Sequence, residues 1–126
     1  MKNVKTLVSS MQDKLEEMRL LHGAACPNIE VYYDTHKSFR VTGYILRDTE
    51  DVDEESGEVK RYQSLIVRDS EGCTFKTSSA PFIRTFLEIA SDFAAFDIPL
   101  ENVEIAIFKG ESIQFKGKHY YHACLQ

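Results

Sequence analysis

The stretch Tyr62–Ala90, "YQSLIVRDSEGCTFKTSSAPFIRTFLEIA", changes character twice. "YQSLIVRD" alternates apolar and polar residues as a strand does, and Ser70-Glu71-Gly72 marks a tight turn. "CTFKTS" resumes the alternation before the pattern switches to helical spacing. Ser78 or Ser79 is placed to cap that helix, and Pro81 suits its first turn, where a missing N–H costs nothing. Phe82, Ile83, Phe86, Leu87, Ile89, Ala90 and Phe93 give it a broad apolar face, and Asp97 and Pro99 end it.

Upstream, "FRVTGYILRD" predicts a longer strand with Phe39, Val41 and Ile45 on one parity. Gly43 interrupts it, as glycine does at a bulge or bend. "NIEVYYD" predicts a short strand and "THKS" a turn. Residues 3–22 predict an amphipathic helix with Val4, Val8, Met11, Leu15 and Met18 in one stripe, stopped by Gly23 and Pro27. That stripe would either pack on the domain or form a self-association seam. Downstream, "NVEIAIFKG", "ESIQFKG" and "KHYYHACL" read as strands joined by Gly-containing turns.

The expected architecture is mainly β, one domain over residues 1–126: an N-terminal helix within 1–23, then a barrel over 28–126. Its segments are Phe39–Asp48, Val59–Asp69, Cys73–Ser78, a helix over 80–96, Asn102–Lys109 and an interrupted strand Ser112–Leu125. Three strands, a helix and two strands is the connectivity of an OB-fold, a five-stranded Greek-key barrel with a helix between its third and fourth strands. A helix lying across an open antiparallel sheet uses the same elements without closure.

If the apolar parity of Phe39, Val41, Ile45, Leu65, Val67 and Phe75 points inward, the other parity forms an exterior face. It carries Arg40, Thr42 and Tyr44, then Lys60, Tyr62, Ser64 and Arg68, then Thr74, Lys76 and Ser78. Cations that track phosphates and flat rings that stack on unpaired bases are what single-stranded nucleic acid requires. The expected binding set is Arg40, Tyr44, Lys60, Tyr62, Arg68 and Lys76, with Tyr120 extending the stacking surface. Solvated strand faces also hold such residues for no reason beyond solubility.

The net charge of −5 is unevenly spread. The expected loop "DTEDVDEESGE", Asp48–Glu58, holds seven of the twenty acidic residues and no basic one, which leaves thirteen against fifteen Lys and Arg elsewhere. Such a loop keeps a protein soluble, competes with nucleic acid for a basic face, or docks a partner protein. No window approaches a membrane span, and the N-terminus lacks the apolar block of a signal peptide, so a cytoplasmic location is expected. Cys26, Cys73 and Cys124, odd in number and unclustered, fit reduced thiols. His119, His122 and Cys124 are ligand types, but His119 points away from the other two on a strand, so neither a metal nor another cofactor is expected. No phosphate loop, nucleophile elbow or metalloprotease motif nominates an enzyme.

"VRDSEGCTFKTSSAPFIRTFLEIA" resembles small single-stranded DNA-binding proteins of bacteriophage replication modules, over roughly residues 38 to 115. The resemblance implies an OB-type barrel that coats single-stranded DNA in replication or recombination, as an oligomer or cooperatively, in the host cytoplasm. Tyr44, Tyr62, Lys76 and their neighbours would form the binding face. The chain ends in "HACLQ" rather than the long acidic tail by which bacterial single-strand binders recruit partners. A replication or host protein would then be met by the acidic loop or the first helix. The competing expectation is a protein-interaction module or inhibitor that uses the barrel, or the acidic loop as a DNA mimic.

Overall fold

The computed structural model describes residues 2–23, 26–111 and 118–126. Its elements run β1 (Lys2–Ser9), α1 (Lys14–His22), α2 (Ile29–Thr35), β2 (Ser38–Phe39), β3 (Val41–Val52), β4 (Val59–Asp69), β5 (Thr74–Thr77), α3 (Ala80–Ala95), a short 3-10 turn at Leu100–Asn102, β6 (Ile105–Glu111) and β7 (His119–Leu125). The fold is mainly β, in two antiparallel sheets ordered β1-β3-β4-β5 and β2-β6-β7. β2 runs into β3 through Arg40 alone, so one bent strand serves both sheets.

The turn at residues 70–72 and the strand-to-helix switch fall where the sequence places them. Asp69 Oδ1 accepts from the backbone N–H groups of Glu71 and Cys73, both at 2.9 Å, and Gly72 takes the positive φ of 85° that the turn requires. Ser79 occupies the N-cap position of α3 without a side-chain cap bond; its N–H donates instead to Thr77 Oγ1. Phe82 and Phe86 are fully buried against Phe75 and Leu65 in the main core. Thr85 Oγ1 donates to the Pro81 carbonyl and accepts from Ala123 N–H at 2.8 Å, which fastens α3 to β7.

Four expectations are corrected. The N-terminal segment is not one helix: Lys2–Ser9 is a strand along β3, and the helix begins only after Asp13, whose Oδ1 caps Leu15 and Glu16. Val4, Thr6 and Val8 are β-branched and disfavour a helix, whereas "KLEEMRLL" favours one. The supposed stripe does not exist, since Leu15 and Met18 are 59% and 50% exposed while Leu20 is buried.

"NIEVYYD" is a helix rather than a strand. Ile29 and Tyr32 are buried and Tyr33 is half-buried, at the helical spacing of three and four, and their fit into the core overrides the strand preference of aromatic and branched residues.

The first five residues of the acidic stretch are strand rather than loop. β3 continues to Val52, and only residues 53–58 turn, with Asp53 Oδ1 accepting Glu55 N–H and Gly57 at φ 72°. The backbone N–H groups of Glu55 and then Ser56 hold the Asp53 carboxyl below its ordinary pKa.

Finally, the two sheets do not close into a barrel. β5 pairs with β4 and β7 with β6, and no ladder joins β5 to β7 among the described residues. The space between them is spanned by α2, with Tyr32 against Phe75 (centroids 4.5 Å apart) and Tyr33 against Tyr121 (6.1 Å). The expected strand segment over residues 112–117 lies outside the described residues; β7 begins at His119.

Candidate nucleic-acid interface

Directly opposed residues of an antiparallel ladder share a face. Leu65 and Val67 of β4 point into the main core, so Lys60, Tyr62, Ser64, Ile66 and Arg68 stand on the outer face, joined across β5 by Lys76, which opposes Ile66. Four of the seven expected residues, Lys60, Tyr62, Arg68 and Lys76, therefore do share one surface.

The others do not. The register shifts between Val41 and Gly43, and beyond this bulge the parity of β3 inverts. Tyr44 consequently turns inward, edge-on to Phe86 with centroids 5.2 Å apart, and burial raises its pKa. Ile45, expected in the main core, moves to the opposite side and packs with Ile66 and Leu20 beneath α1. Arg40 lies at the junction of the sheets, 3.6 Å from the Glu104 carboxylate and donating to the Glu101 carbonyl. Tyr120 belongs to the second sheet, where it covers Gly110 and meets His122 edge-on.

The same inversion brings in residues that alternation had missed. Arg47 opposes Ser64 and Thr6, Thr49 opposes Tyr62 and Val4, and Asp51 opposes Lys60 and Lys2, all on the outer face. Gly43 was the signal that could have found them, because a one-residue bulge moves every later side chain of its strand.

Electrostatics divide this face in two. Near the bulge α1 covers it: Arg68 Nη1 donates to Glu16 Oε2 at 2.8 Å and Nε donates to Thr42 Oγ1, so this cation is already compensated. Farther along, Asp51 lies between Lys2 and Lys60, with Asp53 and Glu58 lining the same pocket as Asp51 and Lys60; Arg47 stands farther up the same face, and Tyr62 is 40% exposed beside Lys60. Asp48 and Glu50 point to the other side, where Lys5 opposes Asp48 and Arg61 pairs with Glu50 at 3.4 Å. The acidic strand is thus flanked by basic ones, and its charges are shared between two faces.

A second aromatic group lies on the outer side of the smaller sheet. Phe108 and Tyr120 flank His122 at 6.3 and 5.0 Å, with Phe108 54% exposed. No helix among the described residues is long and apolar enough to cross a membrane. No family model matches the chain, and neither the curated proteins nor the solved structures yield a match.

Proposed function

We propose that this protein binds single-stranded nucleic acid, DNA or RNA, without base-specific readout and without catalysis, on the open outer face of β1, β3 and β4. One feature carries the reading: Lys2, Arg47 and Lys60 share the outer face with the exposed Tyr62, with Asp51 between the two lysines and Asp53 and Glu58 beside Lys60 at the hairpin end. Cations bind the phosphates and the ring stacks on a base, a contribution of about 1–3 kcal/mol per stacked base. The pairing order β5-β4-β3/β2-β6-β7 supports an OB-type relationship, a Greek-key barrel left open between its third and fifth strands. A role in phage replication or recombination rests on the sequence resemblance alone. Fluorescence anisotropy with labelled oligo-dT and oligo-rU, as a function of salt, tests the proposal. Binding that weakens log-linearly with salt and is lost in Tyr62→Ala is expected. No anisotropy change at low salt would refute it.

The free edge of β1 favours a second reading. Among the described residues β1 pairs only with β3, and Val4, Leu7 and Val8 on it are more than 40% exposed. An unpaired edge with apolar side chains is a template for strand addition by a second copy or a protein partner.

A further inference from the structure

We infer that His36, Asp69, Glu71 and Cys73 form a site for a borderline divalent cation of the zinc class, clamping the end of α2 to the β4–β5 turn. Their ligand atoms, one from each residue, all lie within 4.8 Å of one another. Imidazole nitrogen, thiolate sulfur and carboxylate oxygen are the donors zinc selects, at bond lengths of roughly 2.0–2.3 Å. Tetrahedral ligation at those lengths separates ligand atoms by about 3.3–3.8 Å. Glu71 and Cys73 are exposed and can rotate inward over the remaining distance.

The anchors of the set are already oriented by a second layer of contacts. Asp69 is buried at 3% exposure. Tyr32 Oη–H donates to its Oδ2 at 2.6 Å, and the backbone N–H groups of Glu71 and Cys73 donate to Oδ1. The His36 ring stacks flat on Tyr32, with centroids 4.3 Å apart and planes 6° from parallel. Supporting partners of this kind fix a ligand's position and basicity.

The two ring nitrogens of His36 face different partners. Thr35 Oγ1–H donates to the Tyr32 carbonyl at 3.3 Å, which leaves its oxygen to accept Nδ1–H of His36 at 2.8 Å. Nε2, on the other side of the ring, faces the Glu71 carboxylate at 3.9 Å. An imidazole nitrogen facing one carboxylate, beside a second carboxylate and a thiol, leaves a place for a cation, whether a proton on Nε2 or a metal. A bound metal satisfies this arrangement and displaces the thiol proton to solvent, leaving a thiolate ligand.

A clamp here has a clear structural consequence. α2 spans the space between β5 and β7, and the metal would tie its C-terminal end to the turn that feeds β5.

Titration of the full chain with Co(II), and separately with Zn(II) followed by calorimetry, tests the inference. One equivalent of Co(II) should produce d–d bands of tetrahedral intensity and a thiolate-to-metal charge-transfer band in the near ultraviolet. Zn(II) should displace it and raise the unfolding temperature. Cys73→Ser should abolish the charge-transfer band, while the Cys26→Ser/Cys124→Ser double variant should keep it. Tyr32→Phe, which leaves every ligand in place, should weaken Zn(II) about tenfold. Absence of the band in folded wild-type protein overturns the inference, as does a band that survives Cys73→Ser. Stabilisation by Mg(II) or Ca(II) equal to that by Zn(II) overturns it too, since those ions do not select thiolate or imidazole.

Discussion

The Tyr32 hydroxyl donates a 2.6 Å hydrogen bond to the Asp69 carboxylate, joining α2 to the end of β4 inside the protein. The bond connects a segment read from sequence as a strand to a turn read correctly, and it holds in place the helix that occupies the gap between the sheets. Tyr32→Phe removes the donor and leaves a buried carboxylate oxygen without it, a loss of about 1.5–3 kcal/mol for a hydrogen bond to a charged group. Urea denaturation should show a lower midpoint at unchanged slope. An unchanged midpoint would mean that the bond is not formed in solution.

The paired helix face gives a sharper contrast. Leu20 is buried against Ile45 and Ile66, so Leu20→Ala should cost about 2–4 kcal/mol, transfer and cavity terms together. Leu15, 59% exposed on the same helix, should accept Asp within about 0.5 kcal/mol and leave the protein folded. Thermal unfolding of the two variants separates them. Equal, large losses would show that α1 packs by the Leu15 side, as a continuous N-terminal helix requires.

How much of this was legible follows from where local and tertiary signals agree. The β4–turn–β5–α3 run was readable because each residue choice there has a local cause: Asp69 and Gly72 make the turn, Pro81 starts the helix, and the phenylalanines bury one helical face. α2 was not, because Tyr32 and Tyr33 favour a strand on propensity and become helical only through packing on Phe75 and Tyr121. On the outer face, Lys60, Tyr62, Arg68 and Lys76 followed from simple alternation. Tyr44 and Arg47 exchanged sides because one bulge at Gly43 resets the parity of the strand. His36 could not be linked to Asp69, Glu71 and Cys73 in advance, since only the docking of α2 brings it there.

Tyr44 allows an alkaline test of that exchange. Burial raises its pKa, so the folded protein keeps the phenolic proton longer than the unfolded chain does. The associated stability is complete below about pH 10, the unfolded tyrosine value, and falls as pH rises above it. Tyr44→Phe should flatten the decline of unfolding free energy on the alkaline side while leaving stability at neutral pH nearly unchanged. A decline as steep as in the wild type would place Tyr44 on the solvent side, where alternation without a bulge puts it.

Glu16 and Arg68 test whether the proposed binding face extends beneath α1. Their 2.8 Å pair neutralises a cation on that face, and the side chains are 41% and 27% exposed. Glu16→Gln removes the carboxylate charge while keeping the side chain's size. If nucleic acid reaches this end of the face, its affinity should rise about twofold at low salt, with a steeper salt dependence. Unchanged affinity would confine the site to the half of the face beyond the helix.

The strongest test of the whole arrangement uses two carboxylates adjacent in sequence. Asp51 lies on the outer face between Lys2 and Lys60, whereas Glu50 lies on the other side in an ion pair with Arg61. Replacing either with its amide changes net charge by the same amount, so any effect of total charge is equal in the two variants. A carboxylate about 8 Å from a phosphate opposes it by about 0.5 kcal/mol in a water-like dielectric, roughly a twofold change in affinity per phosphate. Asp51→Asn should therefore tighten oligonucleotide binding at least twofold at low salt and speed association, and the gain should fade as salt shortens the screening length to about 8 Å. Glu50→Gln frees Arg61 on the wrong side of the sheet and should change affinity little. Stability measured alongside should move by no more than about 0.5 kcal/mol for exposed strand charges, so a difference in binding cannot come from unfolding. Equal gains from both variants would show that only net charge matters. A larger gain from Glu50→Gln would move the binding site to the opposite face of the sheet.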